Sequence, residues 1–189
     1  MRMMSWNCRG LGKSSAVLQC KKKALELKPD FLFLMETRLV SGKGSEVWQK
    51  CGFSEGWEVL RVGLSGGLIL AWLPRQGLQI VYDSPNLIHI NVLDDRGYPL
   101  SITFVYGHPD HAKRGEVWQQ LRAFKQHSHP SWLCIGDFNQ VLSKEDKVSF
   151  RIGNIIGAEV FQQVLGDLQL CDLIASGQRF TWKNKRGGR

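Results

Sequence analysis

The chain has 189 residues, of which 43% are hydrophobic and 22% charged, and its formal net charge is +8. This length and composition predict one globular domain, residues 1–189, with a sizeable core. The basic balance favours a polyanionic partner, because a cationic surface gains free energy when phosphates release their counterions. The longest apolar run, residues 68–73, is far shorter than the roughly 20 residues that cross a bilayer, so we expect no membrane span.

The amino-terminal residues and the cysteines indicate where the protein works. Residues 1–7 contain no sustained apolar stretch before a small-residue cleavage site, so we expect no signal peptide. The five cysteines are scattered and form no Cys-x-x-Cys pair, which argues against a zinc site and fits reduced thiols packed in a core. These features favour an intracellular protein, and a nuclear one if it acts on DNA.

Short apolar runs alternate with longer amphipathic ones, which predicts an α/β domain in which helices cover sheets. In chain order, the pattern first predicts a strand at 3–6, a helix from Ser14 or Ser15 to 29 capped by a serine hydroxyl, and a strand at 31–34 buried on both faces. Five β-rich runs follow, at 57–62, 68–72, 78–82, 87–93 and 100–105. The last predicted elements are a helix through 117–124, a strand at 132–135, a helix through 160–168 and a strand at 180–182. Turn residues separate the five β-rich runs, so we interpret them as one antiparallel meander.

Polar residues follow several of these strands: Asn7, Glu36, Tyr106, and Asp137 with Asn139. In layered α/β proteins such strand ends bring side chains together around a ligand. Two structural alternatives remain open. Glu36 could face solvent in the next loop, and Asp137 with Asn139 could form only an Asx turn.

Several short segments, in this order and spacing, resemble the endonuclease/exonuclease/phosphatase superfamily. The similarity is strongest to the apurinic-endonuclease-like domain of plant non-LTR (LINE-type) retrotransposons. The segments that carry it are 5–12 (SWNCRGLG), 35–38 (METR), 65–68 (SGGL), 105–109 (VYGHP), Arg114 with Trp118 and Leu121, 136–139 (GDFN) and 180–182 (FTW). They extend over nearly the whole chain. The resemblance implies a four-layer α/β sandwich of two mostly antiparallel sheets flanked by helices.

The resemblance also implies residue roles. Glu36 would be the main carboxylate ligand of Mg²⁺, with Asn7 beside it and Mn²⁺ as an alternative metal. Tyr106 would hydrogen-bond the scissile phosphate, Asp137 would orient or deprotonate the attacking water, and Asn139 would help to hold that water in line. Arg9, Thr181 and Trp182 would contact the substrate.

Two departures from the family pattern bear on activity. The family pattern ends with a Ser-Asp-His segment that has no counterpart here, and no histidine follows His129. We therefore expect a carboxyl-terminally truncated domain that is weakly active or inactive. Arg9 stands where some relatives have an acidic residue, and it could either lower metal affinity or add a phosphate contact.

Three functions remain in contention. The first is a Mg²⁺-dependent DNA-nicking endonuclease, which in a full-length relative would work beside a reverse-transcriptase region. The second is a phosphatase or lipid phosphodiesterase on the same scaffold, since the fold does not separate these chemistries. The third is a non-catalytic remnant that binds nucleic acid weakly.

Overall fold

A computed structural model describes residues 1–74, 77–143, 155–173 and 176–177. Its strands are β1 (Met3–Asn7), β2 (Phe31–Met35), β3 (Glu55–Val59), β4 (Leu68–Trp72), β5 (Gln79–Asp83), β6 (Leu87–Leu93), β7 (Pro99–Tyr106) and β8 (Trp132–Asp137). Its α-helices are α1 (Ser14–Leu27), α2 (Gly44–Lys50), α3 (Arg114–Phe124) and α4 (Ala158–Leu168), and a 3₁₀ turn at His111–Lys113 precedes α3. The strand predicted at 180–182 lies outside the described residues.

The described strands form two mixed sheets of four. The first sheet has the order β1-β2-β4-β3 and the second the order β5-β6-β7-β8. In the first sheet β1 and β2 are parallel, in the second β7 and β8 are parallel, and the other four pairings are antiparallel. Large side chains from both sheets, among them Phe33 and Phe104, fill the space between them, with ring centroids 5.2 Å apart. Burial of this apolar area is the main force that holds the sheets together.

Helices cover the outer face of each sheet. Cys20 and Ala24 of α1 and Val47 of α2 pack on the first sheet, and α3 and α4 pack on the second. The result is the four-layer α/β sandwich of two mostly antiparallel sheets that the sequence predicted. Every residue of β2 is buried, which confirms a strand covered on both faces. None of the described helices has the length and apolarity to cross a membrane.

Three sequence-based expectations need correction. The five β-rich runs are not one meander, because β3 and β4 belong to the first sheet and β5, β6 and β7 to the second. Strand β4 is buried on both faces, so it needs partners in the middle of a sheet, and it lies between β2 and β3. The cap of α1 is Lys13 with no side-chain hydrogen bond, rather than a serine hydroxyl, and α2 was not predicted.

The strand register brings the carboxyl ends of both parallel pairs to one end of the sandwich. Asn7 is paired with Met35 in the first sheet, and Tyr106 with Asp137 in the second. The β3–β4 connection lies at this same end, because Val59 pairs with Leu68. The turn at 94–98 lies at the opposite end of the second sheet. The fold therefore gathers the polar strand ends into one place.

Candidate active site

One side-chain amide joins the two sheets at this end. Asn7 Nδ2 donates to Glu36 Oε1 at 2.9 Å and to Asp137 Oδ2 at 3.0 Å. Glu36 follows the first sheet and Asp137 ends a strand of the second, so residues far apart in sequence share one donor. Two carboxylates this close repel each other unless a positive group lies between them. The amide N–H group supplies part of that positive charge.

The backbone around Glu36 is bent and pinned to the start of β4. Glu36 has a left-handed backbone with φ 54°, which is unusual for a residue with a side chain. Thr37 N and Arg38 N then donate to the carbonyl oxygens of Gly67 and Gly66, at 3.1 and 3.0 Å. A strained residue persists only where its surroundings hold it. These two bonds hold the Glu36 carboxylate towards the second sheet.

The second oxygen of Glu36 has a basic partner. Arg38 Nη2 donates to Glu36 Oε2 at 3.0 Å, and the carboxylate is 17% exposed while the guanidinium is 49% exposed. The sequence pattern predicts no role for Arg38. The available sequence signal for this ion pair was an acidic and a basic residue two positions apart, in Glu36-Thr37-Arg38. The left-handed backbone at Glu36 brings the two side chains to the same side.

On the second sheet, Asp137 depends on the glycine before it. Gly136 has φ 149°, and a Cβ there would lie 1.9 Å from the Val105 carbonyl oxygen of the neighbouring strand. Asp137 Oδ1 accepts from Asn139 N at 2.9 Å, while its other oxygen accepts from Asn7. Oδ1 therefore makes the Asx-type contact that the sequence left open as an alternative, while Oδ2 is the oxygen that faces Asn7.

Asn139 supports the neighbouring loop. Its backbone is left-handed, and its Nδ2 donates to the Gly107 carbonyl oxygen at 2.7 Å. Gly107 N in turn donates to the Asp137 carbonyl oxygen at 2.7 Å. Asn139 therefore fixes the loop that follows β7 against the end of β8.

Tyr106 is the buried member of the cluster. It is 4% exposed, and its hydroxyl lies close enough to Glu36 to feel the charge of that carboxylate. Burial, and after it the negative charge of Glu36, raises the pKa of Tyr106 well above its ordinary value. The hydroxyl therefore stays protonated and can donate a hydrogen bond to an anion.

The donor set suits a hard cation such as Mg²⁺. Asn7 Oδ1 is buried and has no hydrogen-bond partner, so an uncompensated oxygen lies beside two carboxylates. No group of three or more His, Cys, Asp or Glu side chains among the described residues is arranged to hold a metal. Magnesium commonly uses only one or two carboxylates and keeps several waters, so a set of this size does not conflict with its chemistry.

Arg114 braces the loop behind the site. Its guanidinium donates to the carbonyl oxygens of His108 and Pro109 and, at 2.7 Å, to Gln140 Oε1. The loop from 107 to 110 and the segment after β8 are therefore tied to the start of α3. Burial lowers the pKa of Arg114, whereas the charges of Asp110 and Asp137 act to raise it. Arg114 belongs to the family-like segments, but sequence reasoning assigned no contacts to it or to Gln140.

The structure therefore brings together five of the eight predicted site residues, namely Asn7, Glu36, Tyr106, Asp137 and Asn139. Arg9 is exposed in the loop after β1, with a left-handed backbone. Thr181 and Trp182 lie outside the described residues.

The described residues form a two-sheet α/β sandwich with a carboxylate–amide cluster at one end. The chain belongs to the Endonuclease/Exonuclease/phosphatase family, whose sequence pattern matches residues 4–189. No curated protein matches the chain in a sequence search.

Solved structures of low sequence identity share the fold. An AP endonuclease from Archaeoglobus fulgidus has 15% identity and a TM-score of 0.68, over 88% of this chain and 70% of that one. The endonuclease domain of TRAS1, a telomere-specific non-LTR retrotransposon, has 15% identity and a TM-score of 0.62, over 88% and 71%. A 3′ phosphatase from Neisseria, bound to a product DNA hairpin, has 16% identity and a TM-score of 0.63, over 89% and 70%.

Proposed function

We propose that this chain is a metal-dependent nuclease domain that hydrolyses phosphodiester bonds of DNA, as a nicking endonuclease of the retrotransposon type. The observation that carries the proposal is the Asn7 amide shared by Glu36 and Asp137, one carboxylate from each sheet. Paired carboxylates with an unsatisfied amide oxygen suit a cation on one side and an activated water on the other.

Glu36 and Asn7 would hold the metal. The metal would be Mg²⁺, with Mn²⁺ as the alternative. When bound, the cation would neutralise charge that builds on the phosphate and on the departing oxygen. Asn7 would contribute Oδ1, because rotation of the amide exchanges its nitrogen and oxygen. The two N–H contacts that Asn7 makes to Glu36 and Asp137 would then be lost.

The second sheet would supply the groups that act on the water and the phosphate. Asp137 would accept a proton from the attacking water, and its contact with Asn139 N keeps the carboxylate oriented for that transfer. Tyr106, kept protonated by burial, would donate its hydroxyl hydrogen to a phosphate oxygen. Asn139 would hold the water in line with the leaving oxygen while its amide nitrogen keeps the loop at Gly107 in place.

DNA is favoured over a small phosphate ester for two reasons. The net charge of +8 suits a polyanion, and the similar structures include DNA-acting proteins, one of them bound to a DNA product. The retrotransposon type is supported by the short segments that resemble such domains. A 3′ phosphatase of comparable structural similarity keeps phosphatase activity as the second candidate.

Turnover by these 189 residues is expected to be slow. His108, the histidine nearest to Tyr106 along the chain, has Nδ1 engaged by Asp110 N at 3.0 Å. The histidine of the family's Ser-Asp-His segment, which contacts the phosphate, has no counterpart here. A positioned acid or phosphate-contacting group of that kind is commonly worth about 10² to 10⁴ in rate. If the rate of turnover falls to zero, the chain is the non-catalytic remnant, which is the third candidate function.

Plasmid nicking in Mg²⁺ tests the proposal. We expect supercoiled plasmid to be converted to the nicked circle, and expect EDTA, Glu36→Ala and Asp137→Ala each to abolish the conversion. Glu26→Ala is the matched control, because Glu26 is an exposed carboxylate of α1 that pairs with Lys23 in a surface salt bridge. A fusion carrying the Ser-Asp-His segment of a family member after residue 189 should nick faster.

Nicking that survives both substitutions would show that the activity comes from a contaminant or from another site. Inert plasmid combined with release of phosphate from a 3′-phosphorylated oligonucleotide would favour the phosphatase candidate. If the fusion too leaves both substrates intact, the remnant hypothesis prevails.

A further inference from the structure

Two buried cysteines face each other under the helices of the first sheet. Cys20 lies on the buried face of α1 and is 0% exposed, and Cys51 directly follows α2 and is 4% exposed. Their Sγ atoms lie 3.6 Å apart, although the residues are 31 positions apart in sequence. Both are free thiols. A disulfide bond is about 2.05 Å long, so each sulfur atom would have to move less than about 1 Å to form one.

The backbone on both sides of this pair belongs to regular helices. Cys20 lies in the middle of a 14-residue helix, one turn before Ala24, which is also buried. Cys51 N donates to the carbonyl oxygens of Val47 and Trp48, at 3.1 and 3.0 Å, so the last turn of α2 holds Cys51 in place. The approach of the two sulfur atoms is therefore set by packed helices and not by flexible loops.

One thiol of the pair ionises more readily than the other. The hydrogen bond between the two sulfur atoms lowers the pKa of Cys51 and raises that of Cys20, while burial acts against ionisation of both. The positive charge of Lys21 lowers the pKa of Cys51 further. The thiolate is the reactive form of cysteine. Cys51 is therefore the nucleophile of the pair, and Cys20 is the thiol that reacts second.

Two other thiols lack these conditions. Cys8 packs against the same cluster of side chains, but its Sγ donates to the Met35 carbonyl oxygen at 3.0 Å, and burial raises its pKa to about 11. Burial also raises the pKa of Cys134, in β8 of the second sheet, to about 12. Both thiols stay protonated at neutral pH and are poor nucleophiles. We therefore expect oxidation to prefer Cys20 and Cys51 over them.

An oxidant reaches the pair through local opening of α2. This helix has only seven residues, and its cap residue Lys43 makes no side-chain hydrogen bond. Helices this short are marginal by themselves, so α2 depends on its packing and belongs to the elements that open at low cost. A small oxidant such as hydrogen peroxide can enter through such openings, whereas a bulky one would need α2 to unfold further.

We propose that Cys20 and Cys51 are a redox-active pair, which a hydroperoxide converts into a disulfide bond that holds α2 against α1. The Cys51 thiolate attacks one oxygen of H₂O₂, the O–O bond breaks and hydroxide leaves, which gives a sulfenic acid on Cys51. The Cys20 sulfur then loses its proton, attacks the Cys51 sulfur and displaces the sulfenic oxygen as water. Two thiols are oxidised, one H₂O₂ is reduced and two water molecules form. The inference does not depend on the proposed function, because the step involves neither a metal nor DNA.

Mild oxidation of the native full chain with H₂O₂ tests the proposal. We expect intact-mass spectrometry to show the loss of two hydrogen atoms per chain, and peptide mapping to place the new bond between Cys20 and Cys51. The Tm should rise by about 5–10 °C, because a cross-link over a loop of this length restricts the unfolded chain. Dithiothreitol should reverse both changes.

Cysteine variants identify the pair. Cys51→Ala and Cys20→Ala should each abolish the bond and the rise in Tm. Cys134→Ala is the matched control, because it removes a thiol from the other sheet, and it should keep both. The peptide map of wild-type protein decides the question even if one variant fails to fold.

Three outcomes would overturn the inference. In the first, the native chain keeps both thiols or joins any other two cysteines, within one chain or between two copies. In the second, the bond between Cys20 and Cys51 forms only in urea, so that native packing does not direct it. In the third, the bond forms and the Tm does not rise, so that it does not hold α2 against α1.

Discussion

The two sheets meet at the site with the same backbone arrangement and different surroundings. Each contributes one parallel pair, β1 with β2 and β7 with β8, and each pair ends in polar residues. In the first sheet Glu36 is partly exposed and pairs with Arg38. In the second, Tyr106 is almost fully buried. One half therefore offers an accessible anion, and the other a buried hydrogen-bond donor beside a carboxylate.

This difference suggests a division of labour. A cation needs an accessible carboxylate and room for water, which the first sheet provides. A donor that must remain protonated gains from burial, because burial raises the pKa of the Tyr106 hydroxyl. Under the proposed function, similar backbone geometry would serve metal binding in one half and phosphate contact in the other.

The largest expected effect concerns one glycine near each carboxylate. Gly136 precedes Asp137, and Gly67 is hydrogen-bonded to the residue after Glu36. Gly136→Ala should destabilise the protein by more than about 3 kcal/mol, because its Cβ would lie 1.9 Å from the Val105 carbonyl oxygen, a backbone atom that cannot move alone. Gly67→Ala should cost less, about 1–3 kcal/mol, although its φ is also positive, because the nearest atom is the Thr37 hydroxyl at 2.5 Å, which rotates. Urea unfolding measures both.

Gly166→Ala in α4 is the control for these two. A Cβ there meets nothing within 4 Å, and alanine favours a helix over glycine by up to about 1 kcal/mol, so the variant should be as stable as the wild type or more so. If Gly136→Ala and Gly67→Ala lose the same free energy of unfolding, the rigid backbone next to Gly136 and the rotatable hydroxyl next to Gly67 do not differ as argued.

The division of labour itself is tested by Glu36→Gln and Tyr106→Phe. Glu36→Gln should weaken Mg²⁺ binding strongly, because it removes the carboxylate charge. Tyr106→Phe should leave Mg²⁺ affinity within about twofold and slow nicking about 10²- to 10³-fold, the usual effect of losing one donor to a developing anion. Calorimetry measures the affinity and plasmid nicking the rate. A large loss of Mg²⁺ affinity in Tyr106→Phe would show that the two halves do not act separately.

Much of this arrangement could be read from sequence, because it depends on local pattern. The apolar run at 31–34 predicted a buried strand, and the polar residues after such strands predicted a shared site. Five of the eight residues singled out do lie together, among them Asn7 and Asp137, which are 130 positions apart. Strand ends constrain the location of a side chain even when the strand order is unknown.

The remaining features depend on contacts that no local pattern encodes. The division of β3 to β7 between two sheets follows from burial of β4 on both faces and its place beside β2, a pairing distant in sequence. Helix α2 is only seven residues long, too short for a clear periodicity. The local pattern does not predict the complete burial of His89 in β6, because the aromatic residue that stacks on it, Phe124, comes from α3.

His89 provides a pH test of the outer faces of the two sheets. The first sheet buries Cys20 and Cys51 under its helices, whereas the second buries His89, whose Nδ1 lies 2.8 Å from Thr103 Oγ1. Burial lowers the pKa of His89 to about 4. The unfolded chain, with a histidine pKa near 6.5, binds the proton first, so this stabilisation is complete above about pH 6.5 and is lost between about pH 6.5 and 4.

His89→Phe should remove that dependence and keep the stacking on Phe124. We expect the free energy of unfolding of wild-type protein to fall by about 2 kcal/mol more than that of His89→Phe between pH 7 and pH 5. Urea unfolding at the two pH values gives the difference. His127→Phe, at an exposed histidine after α3, is the control and should follow the wild type. Parallel curves for wild type and His89→Phe would contradict the burial argument.

The smallest expected effect concerns Arg38, which pairs with Glu36, the partly exposed carboxylate of the first sheet. Its guanidinium occupies Glu36 Oε2 at 3.0 Å, so a cation that binds this carboxylate must displace it or work against its charge. Arg38→Gln should therefore strengthen Mg²⁺ binding by about two- to fivefold, because exposed ion pairs contribute about 0.2–1 kcal/mol. Lys23→Gln, which breaks the exposed pair with Glu26 in α1, should leave Mg²⁺ binding unchanged. The sign of the effect decides the role of Arg38. Weaker Mg²⁺ binding in Arg38→Gln would mean that the guanidinium orients Glu36 for the metal, and the exposed half would then depend on a fixed partner, as the buried half does.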